Sequence, residues 1–490
     1  MSNARMKAML TPRRTPMPRL RGWKFILLPD MDCLRTQAEH ARRDTTGMSS
    51  VCQEDEGFMK PRSRPGAKPS YFPRLLAASL LVAGLQAARA APVEVLHWWT
   101  SAGEAAAVQT LRDGLQSRGW VWQDSGVAGG DDRKRLVAAA RAGADALPDS
   151  VQLHTNSLRE RAGLWLSLQP TAAQGGWDRA VPAAVRLSAT LRGQWVAAPV
   201  NVHRTNWVWA SKRLLSEAGI TTPPATFEEL VAAADKLAKL GHLPLAHGGE
   251  GWQDALLFDN AVLSVGGVAF YRQALIALDD AALRATTMHQ AFEQLATLRR
   301  FMDPRRSGRP WNFATAMLTH DRAAMQVSGD WVKGEFVRAG KKAGTDILCF
   351  PYPGTQGSFV FVSDLFAMPR RDASRVPGQL ALAQTLMDPA VQHRFNLAKG
   401  SIPARLDVQL DGYDTCAQQA ARDYRSADER GTLVSRYTSE VPEAVRNAVA
   451  ESVGGFMAGS ATPAQGVAGL AAAIQAAKKS RPADQHRFQH

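Results

Sequence analysis

Residues 88–104 read ARAAPVEVLHWWTSAGE, and two signals meet in them. Ala88-Arg89-Ala90 fits the small-residue rule for removal of an export signal. Directly after it, residues 93–99 read as the first strand of an α/β unit and end in two adjacent tryptophans, Trp98 and Trp99. Ligands of open α/β sheets gather at the carboxyl ends of the strands. Large flat rings at that end suit the apolar C–H face of a sugar.

Toward the N-terminus, residues 59–90 have the layout of a signal peptide. Lys60, Arg62, Arg64, Lys68 and Arg74 form a basic lead, and residues 75–85 (LLAASLLVAGL) form an apolar run of 11 residues, too short for a bilayer. Cleavage is expected after about Ala90. A short buried helix is the alternative reading of the run. No cysteine follows it, so a lipid anchor there is not expected. Residues 1–58 are rich in Arg and Pro and lack sustained periodicity. They read as a non-native extension from a start codon assigned too early, or as an unusually long leader.

Setting residues 1–90 aside changes the charge argument. The 490-residue chain carries +14, but its first 90 residues hold 16 Lys+Arg and 7 Asp+Glu, which leaves +5 for the rest. That balance, without a basic stripe of interleaved aromatics, does not point to nucleic acid. No later run reads as long and apolar enough to cross a membrane. Four hundred residues exceed what one core supports, so two lobes are expected. Twelve of the 13 tryptophans follow residue 90, and several sit in polar contexts. Cys349 and Cys416 are the two cysteines left in the mature part, and in an oxidising compartment they are expected to pair; two separate buried thiols are the alternative.

Strand and helix signals alternate, which indicates α/β lobes with mostly parallel sheets. Ser101-x-x-Glu104 is a capping box for a helix that stops at Gly119. Further helices are expected at 131–142, from Thr226-x-x-Glu229 to Leu240, near 270–283 and 288–302, over 376–398, and from Pro463. Strands are expected at 120–123, 150–154, 195–202, 323–327, up to the CFPYPG turn at 349–354, and at 365–369. Residues 195–209 and 356–369 look like lobe crossings, and 479–490 like a flexible tail. Motifs for a nucleophile elbow, a metalloprotease helix, a phosphate loop or a cysteine zinc site do not occur. Paired carboxylates need no sequence proximity, so a glycosidase stays open.

By Glu104 the chain resembles a known family. HWWTSAGE is similar to the N-terminus of the glucose- and mannose-type solute-binding proteins of bacterial ABC sugar importers, in extracellular solute-binding protein family 1. Ordered matches continue in AAPVNVHRTNWVW (197–209), LAHGGEGWQDALLF (245–258), VLSVGGV (262–268), AAMQVSGDW (323–331), KGSIPAR (399–405) and YDTCAQQAA (413–421). The resemblance implies an α/β, two-lobed periplasmic-binding-protein fold of type II, hinged around a ligand in the interlobe cleft. It assigns 91–205 and 364–412 to the first lobe and 206–360 and 416–478 to the second. It also implies a periplasmic monomer, not an enzyme, with no cofactor or metal. Such a protein takes a monosaccharide and meets the inner membrane only through the transmembrane permease subunits.

The same resemblance proposes the ligand set. Of Trp98 and Trp99, which alternate faces along the strand, at most one stacks on the sugar; core packing of both is the alternative. Glu104 accepts sugar hydroxyls or serves only its cap. Trp252, flanked by His247 and Gln253, supplies an aromatic from the second lobe, and His247 is otherwise structural. Asp330 in GDW accepts hydroxyls or caps a helix, while Trp331 packs. Lys399 in KGSIPAR is a ligand residue or a solvated lysine. His203 and Arg204 reach the ligand or brace the hinge, and Asp364 lies near the other crossing. His154 stands where the resemblance places a lysine in glucose binders, which leaves the sugar open among glucose, mannose and other aldoses. A binder of a phosphorylated ligand such as glycerol 3-phosphate, a secreted glycosidase using Glu104 and Asp330, and a sensor subunit are the other readings.

Overall fold

The computed structural model describes residues 92–126 and 146–479, all within one compact unit. The signal peptide, the extension before it, the helix expected at 131–142 and the segment beyond 479 lie outside the described residues.

Both capping boxes form. Ser101 Oγ accepts from the Glu104 amide, and Glu104 accepts from the Ser101 amide, opening helix Ala102–Gln116. Thr226 and Glu229 do the same for Phe227–Lys239. Such a cap contributes about 1 kcal/mol, which fixes where each helix enters its lobe.

The chain lays down β1 (Pro92–His97), β2 (Val121–Gly126) and β3 (Ser150–Leu153) in parallel, in the order β2-β1-β3. After a hairpin of β4 (Thr190–Leu191) and β5 (Gln194–Trp195), β6 (Ala197–Pro199) takes the far edge of the same sheet. Then the chain leaves the lobe. β7 (Asn201–Arg204) belongs to a middle sheet, and β8 (Trp207–Ser211) to the sheet of the second lobe. That sheet is completed by β9 (Leu243–Ala246), β10 (Ala323–Val327) and β11 (Ile347–Pro351), in the order β11-β8-β10-β9. The return runs through β12 (Phe359–Val362), in the middle sheet, to β13 (Leu365–Ala367), between β3 and β6. β14 (Ile402–Pro403) and β15 (Leu433–Ser435) finish the middle sheet as β14-β7-β12-β15. The result is a two-lobed type II binding-protein fold, with three main sheets along one path and the small β4–β5 hairpin beside the first.

The sheets are mixed rather than mostly parallel. A strand that arrives from the other lobe enters its sheet from the middle, opposite to a strand fed by a helix of its own lobe. Accordingly β13 pairs antiparallel with β3 and β6, and β8 pairs antiparallel with β10 and β11. The apolar run at 195–202 is not one strand either. It breaks at Val200, where the chain changes sheets and the Val200 amide donates to Asp364 O on the returning crossing at 3.2 Å.

Two helical expectations change. Residues 376–398 form two helices, Val376–Leu386 and Pro389–Lys399, because Pro389 lacks the amide to continue the first and Asp388 caps the second. Gly251–Tyr271, where the sequence suggests a helix only from near 270, is helical over 21 residues, in two stretches joined by a kink at Gly267 (φ +65°). By length and composition Gly251–Ile276 would pass for a membrane span, contrary to expectation, but most of that apolar stretch is buried inside the protein. Thr286–Arg299 and Glu443–Ala458 pack against it, and Pro463–Lys479 lies over those two, whereas Thr415–Glu429 lies on β12, β14 and β15. Cys416 on the latter helix is disulfide-bonded to Cys349 of β11, with Cα atoms 6.0 Å apart.

Candidate functional site

β1 and β3 end side by side, which brings Trp98 and His154 together. Their rings lie 5.0 Å apart, and both side chains are half-buried. The Trp98 amide donates to Gln152 Oε1 at 3.1 Å, so the backbone at the strand end is fixed. Gln152 Nε2 in turn donates to Asp364 Oδ1 at 2.7 Å. Asp364 Oδ2 accepts from Asn201 Nδ2 at 2.7 Å and faces His203 Nε2 at 3.2 Å. The other ring nitrogen of His203 hydrogen-bonds Asp330 Oδ1, and Asp330 Oδ2 accepts from the Arg204 amide at 3.0 Å. The Trp331 ring stands edge-on to His203 at 5.5 Å and to Trp252 at 6.0 Å. One chain of contacts thus runs from Trp98 in the first lobe, through both crossing strands, to Trp252 in the second.

Its electrostatics are set by burial. Burial alone would lower the His203 pKa, but the Asp330 and Asp364 carboxylates outweigh it and hold the imidazole above its ordinary value. Burial opposes ionisation of Asp364, yet His203, the nearby Lys399 charge and the Asn201 hydrogen bond keep its carboxyl well below the usual carboxylate range. Lys399 ends helix Pro389–Lys399 and is paired with Glu104 Oε1 at 3.2 Å. Glu104 therefore serves its cap with one oxygen and Lys399 with the other. Gly400 follows at φ +89°, and a Cβ there would lie 2.8 Å from Asp330 O. This close approach brings the Lys399 loop against the Asp330 turn.

The expected residues separate into two groups. Trp98, His154, Glu104, His203, Trp252, Asp330, Asp364 and Lys399 gather along this path, whereas His247 is buried and bound to Asp254 Oδ1 at 2.9 Å. Trp99 and Arg204, both candidate ligand residues, take the structural alternative that the sequence had left open. Trp99 is a core residue, packed on Phe366 and Phe395 at 5.4 and 5.1 Å. Arg204 points to the opposite face of β7 from His203, as strand alternation requires. Its guanidinium lies 4.1 Å over Trp207 and bonds Asn206, Asp423 and Ser358 O, so it braces the middle sheet instead of meeting a ligand.

Two residues at the site escaped the sequence reading. Gln152 and Asn201 are polar side chains in otherwise apolar strands (SVQL and PVNV), a signal that was there to use. Trp331, read as packing, does pack against the core beside His203 and Trp252, half-buried and with its Nε1 lacking a hydrogen-bond partner. Among the described residues, no group of three or more metal-ligating side chains assembles.

The model of the bacterial extracellular solute-binding proteins matches residues 120–370. A protein of Rhizobium meliloti (strain 1021), named probable sugar-binding periplasmic protein, is 44% identical over 406 residues, 82% of this chain and 98% of its own length. Among solved structures, a chitin oligosaccharide binding protein aligns with a TM-score of 0.70 at 16% identity, covering 80% of this chain and 100% of that one. The solute receptor AcbH, described as having an exclusive preference for β-D-galactopyranose, aligns with a TM-score of 0.68 at 16% identity, over 80% of this chain and all of its own. At that identity the structures speak for the two-lobed architecture alone, but the sequence matches decide the family. The chain belongs to the bacterial extracellular solute-binding proteins.

Proposed function

We propose that this chain is the periplasmic substrate-binding subunit of an ABC sugar importer. It takes one monosaccharide, glucose- or mannose-like, between its lobes and delivers it to the membrane permease. The carrying observation is the continuous chain of polar and aromatic contacts from Trp98 to Trp252 across both crossing strands. Half-buried indoles from both lobes (Trp98, Trp252 and Trp331) offer apolar faces to a sugar ring. Charged acceptors on the same path suit its hydroxyls. Ligand that touches both lobes favours the closed form, because only that form offers both sets of contacts. The name of the Rhizobium meliloti relative supports this reading.

Charge balance favours a neutral ligand. Lys399 is matched by Glu104, and His203 lies between two carboxylates, so the path has no surplus of cations for a phosphate. The carboxylates already accept hydrogen bonds from the protein, which fits binding better than glycoside hydrolysis. Calorimetric titration of residues 91–490, freed of bound sugar, with glucose, mannose, galactose, xylose, maltose and glycerol 3-phosphate tests the reading. Saturable one-to-one binding of a monosaccharide without product is expected. Product formation, or binding of glycerol 3-phosphate alone, would overturn it.

A further inference from the structure

Helix Thr155–Glu160 begins one residue after His154, whose ring lies against Trp98, so its start belongs to the candidate site. Its other end does something different. Arg159 Nη1 is 2.8 Å from Glu440 Oε2, and Glu160 Oε1 accepts from the Glu443 amide at 3.3 Å. Glu440 ends the short helix Tyr437–Glu440, and Glu443 opens Glu443–Ala458, which packs in the second lobe. One six-residue helix thus joins the ligand end of β3 to the opposite lobe.

The seam it makes is not packed like a core. Asn156 is buried with both amide atoms unpaired, and Ser157 Oγ is buried and unpaired beside it. On the other side, Ser435 Oγ is unpaired, and Arg446 Nη2 makes no hydrogen bond and only a long ion pair with Glu443 at 4.0 Å. A cavity of about 420 Å³ opens along the same edge, lined by Arg159, Leu187 and Ser188 from the first lobe and by Ile276, Ser435 and Glu440 across from them. A permanent interface would fill that volume and pair those groups, since each buried orphan opposes closure. A surface that is wet part of the time has no such need.

We infer that the seam between Thr155–Glu160 and Tyr437–Glu443 makes and breaks as the lobes move, with Arg159–Glu440 and the Glu160 contact as its latch. The unpaired polar groups hold the seam apart without ligand, and the latch slows reopening once ligand has drawn it shut. The inference adds to the sugar-binding reading the element that sets how long the closed form lasts.

Two experiments test it. In the first, Arg159→Cys/Glu440→Cys is bridged by a short bismaleimide in residues 91–490 without ligand, and small-angle scattering is compared before and after bridging. A smaller radius of gyration on bridging is expected; identical scattering would overturn the latch, whatever the sugar. In the second, stopped-flow release of the titrating sugar is followed in Arg159→Glu and in Arg159→Glu/Glu440→Arg. The single reversal is expected to speed release roughly 2- to 5-fold, the scale of a part-exposed ion pair, and the double reversal to restore it. Unchanged release in the single variant, or no restoration, would also overturn it. Failure of every sugar to bind would defeat the functional proposal while the scattering comparison still decides the latch.

Discussion

His203 Nε2 lies 3.2 Å from Asp364 Oδ2, at the point where the chain crosses back between lobes. The same ring holds Asp330 with its other nitrogen, so one imidazole joins the turn after β10 to the start of β13. Replacing His203 leaves two carboxylates buried without their shared partner. His203→Gln is therefore expected to lower unfolding free energy by about 3–5 kcal/mol near pH 6, measured by urea denaturation.

The pH dependence has a definite sign. His203 is held above its ordinary 6.5, so its contribution is complete below that value and fades as pH rises through the higher folded one. Asp259, which burial pushes up to about 7 against the pull of Arg436, contributes in the same direction. Asp364 is held low, and its contribution is lost only as pH falls below about 3.8. Stability is expected to decline from pH 6 to 8.5. His203→Gln should flatten part of that slope and Asp259→Asn a further part. A slope unchanged in both variants would contradict the assignment.

Trp98 and Trp99 are adjacent in sequence and opposite in role. Trp98→Ala is expected to weaken sugar binding roughly tenfold, with stacking alone worth about 1 kcal/mol, and to leave stability nearly intact. Trp99→Ala opens the core beside Phe366 and Phe395 and is expected to cost about 3–5 kcal/mol of stability. Calorimetry and denaturation of both variants separate the two effects.

Gly103 is where helix Ala102–Gln116 meets Lys333–Arg338, and a Cβ there would lie 2.8 Å from Gly334 C. Backbone on both sides leaves little room to yield. Gly103→Ala is expected to cost about 1–3 kcal/mol of closed-state stability, read as weaker ligand binding. Gly334→Ala, whose Cβ would meet its neighbours at 3.5 Å or more, is the control expected to bind normally.

The disulfide Cys349–Cys416 ties β11 to helix Thr415–Glu429 across 67 residues of chain. That helix also carries Asp423, the partner of Arg204. Cys349→Ser/Cys416→Ser is expected to cost about 2–4 kcal/mol and to lower the melting temperature, with dithiothreitol acting alike on the natural protein.

Local rules made part of this legible in the sequence. The capping boxes at Ser101 and Thr226 start their helices as read, because cap chemistry is decided within four residues. Alternation correctly forbade Trp98 and Trp99 from sharing a face, but which one meets the core depends on Phe366 and Phe395, nearly 270 and 300 residues away. Arg204 stayed open between ligand and hinge for the same reason: Asp423, the partner that marks it as a brace, is distant in sequence. Helix Gly251–Tyr271 hid because it is buried on nearly every side and shows little amphipathic periodicity. The Gln152–Asp364–Asn201 links come from β3, β7 and the join between β12 and β13, which only the crossing topology brings together.

The central claim, that the lobes take up one monosaccharide, is tested most directly by native mass spectrometry of residues 91–490 after exposure to each sugar separately. The account predicts a single adduct of one monosaccharide per chain, clearly reduced in Trp98→Ala at the same sugar concentration. Adducts only with oligosaccharides, or monosaccharide adducts that Trp98→Ala leaves unchanged, would contradict it.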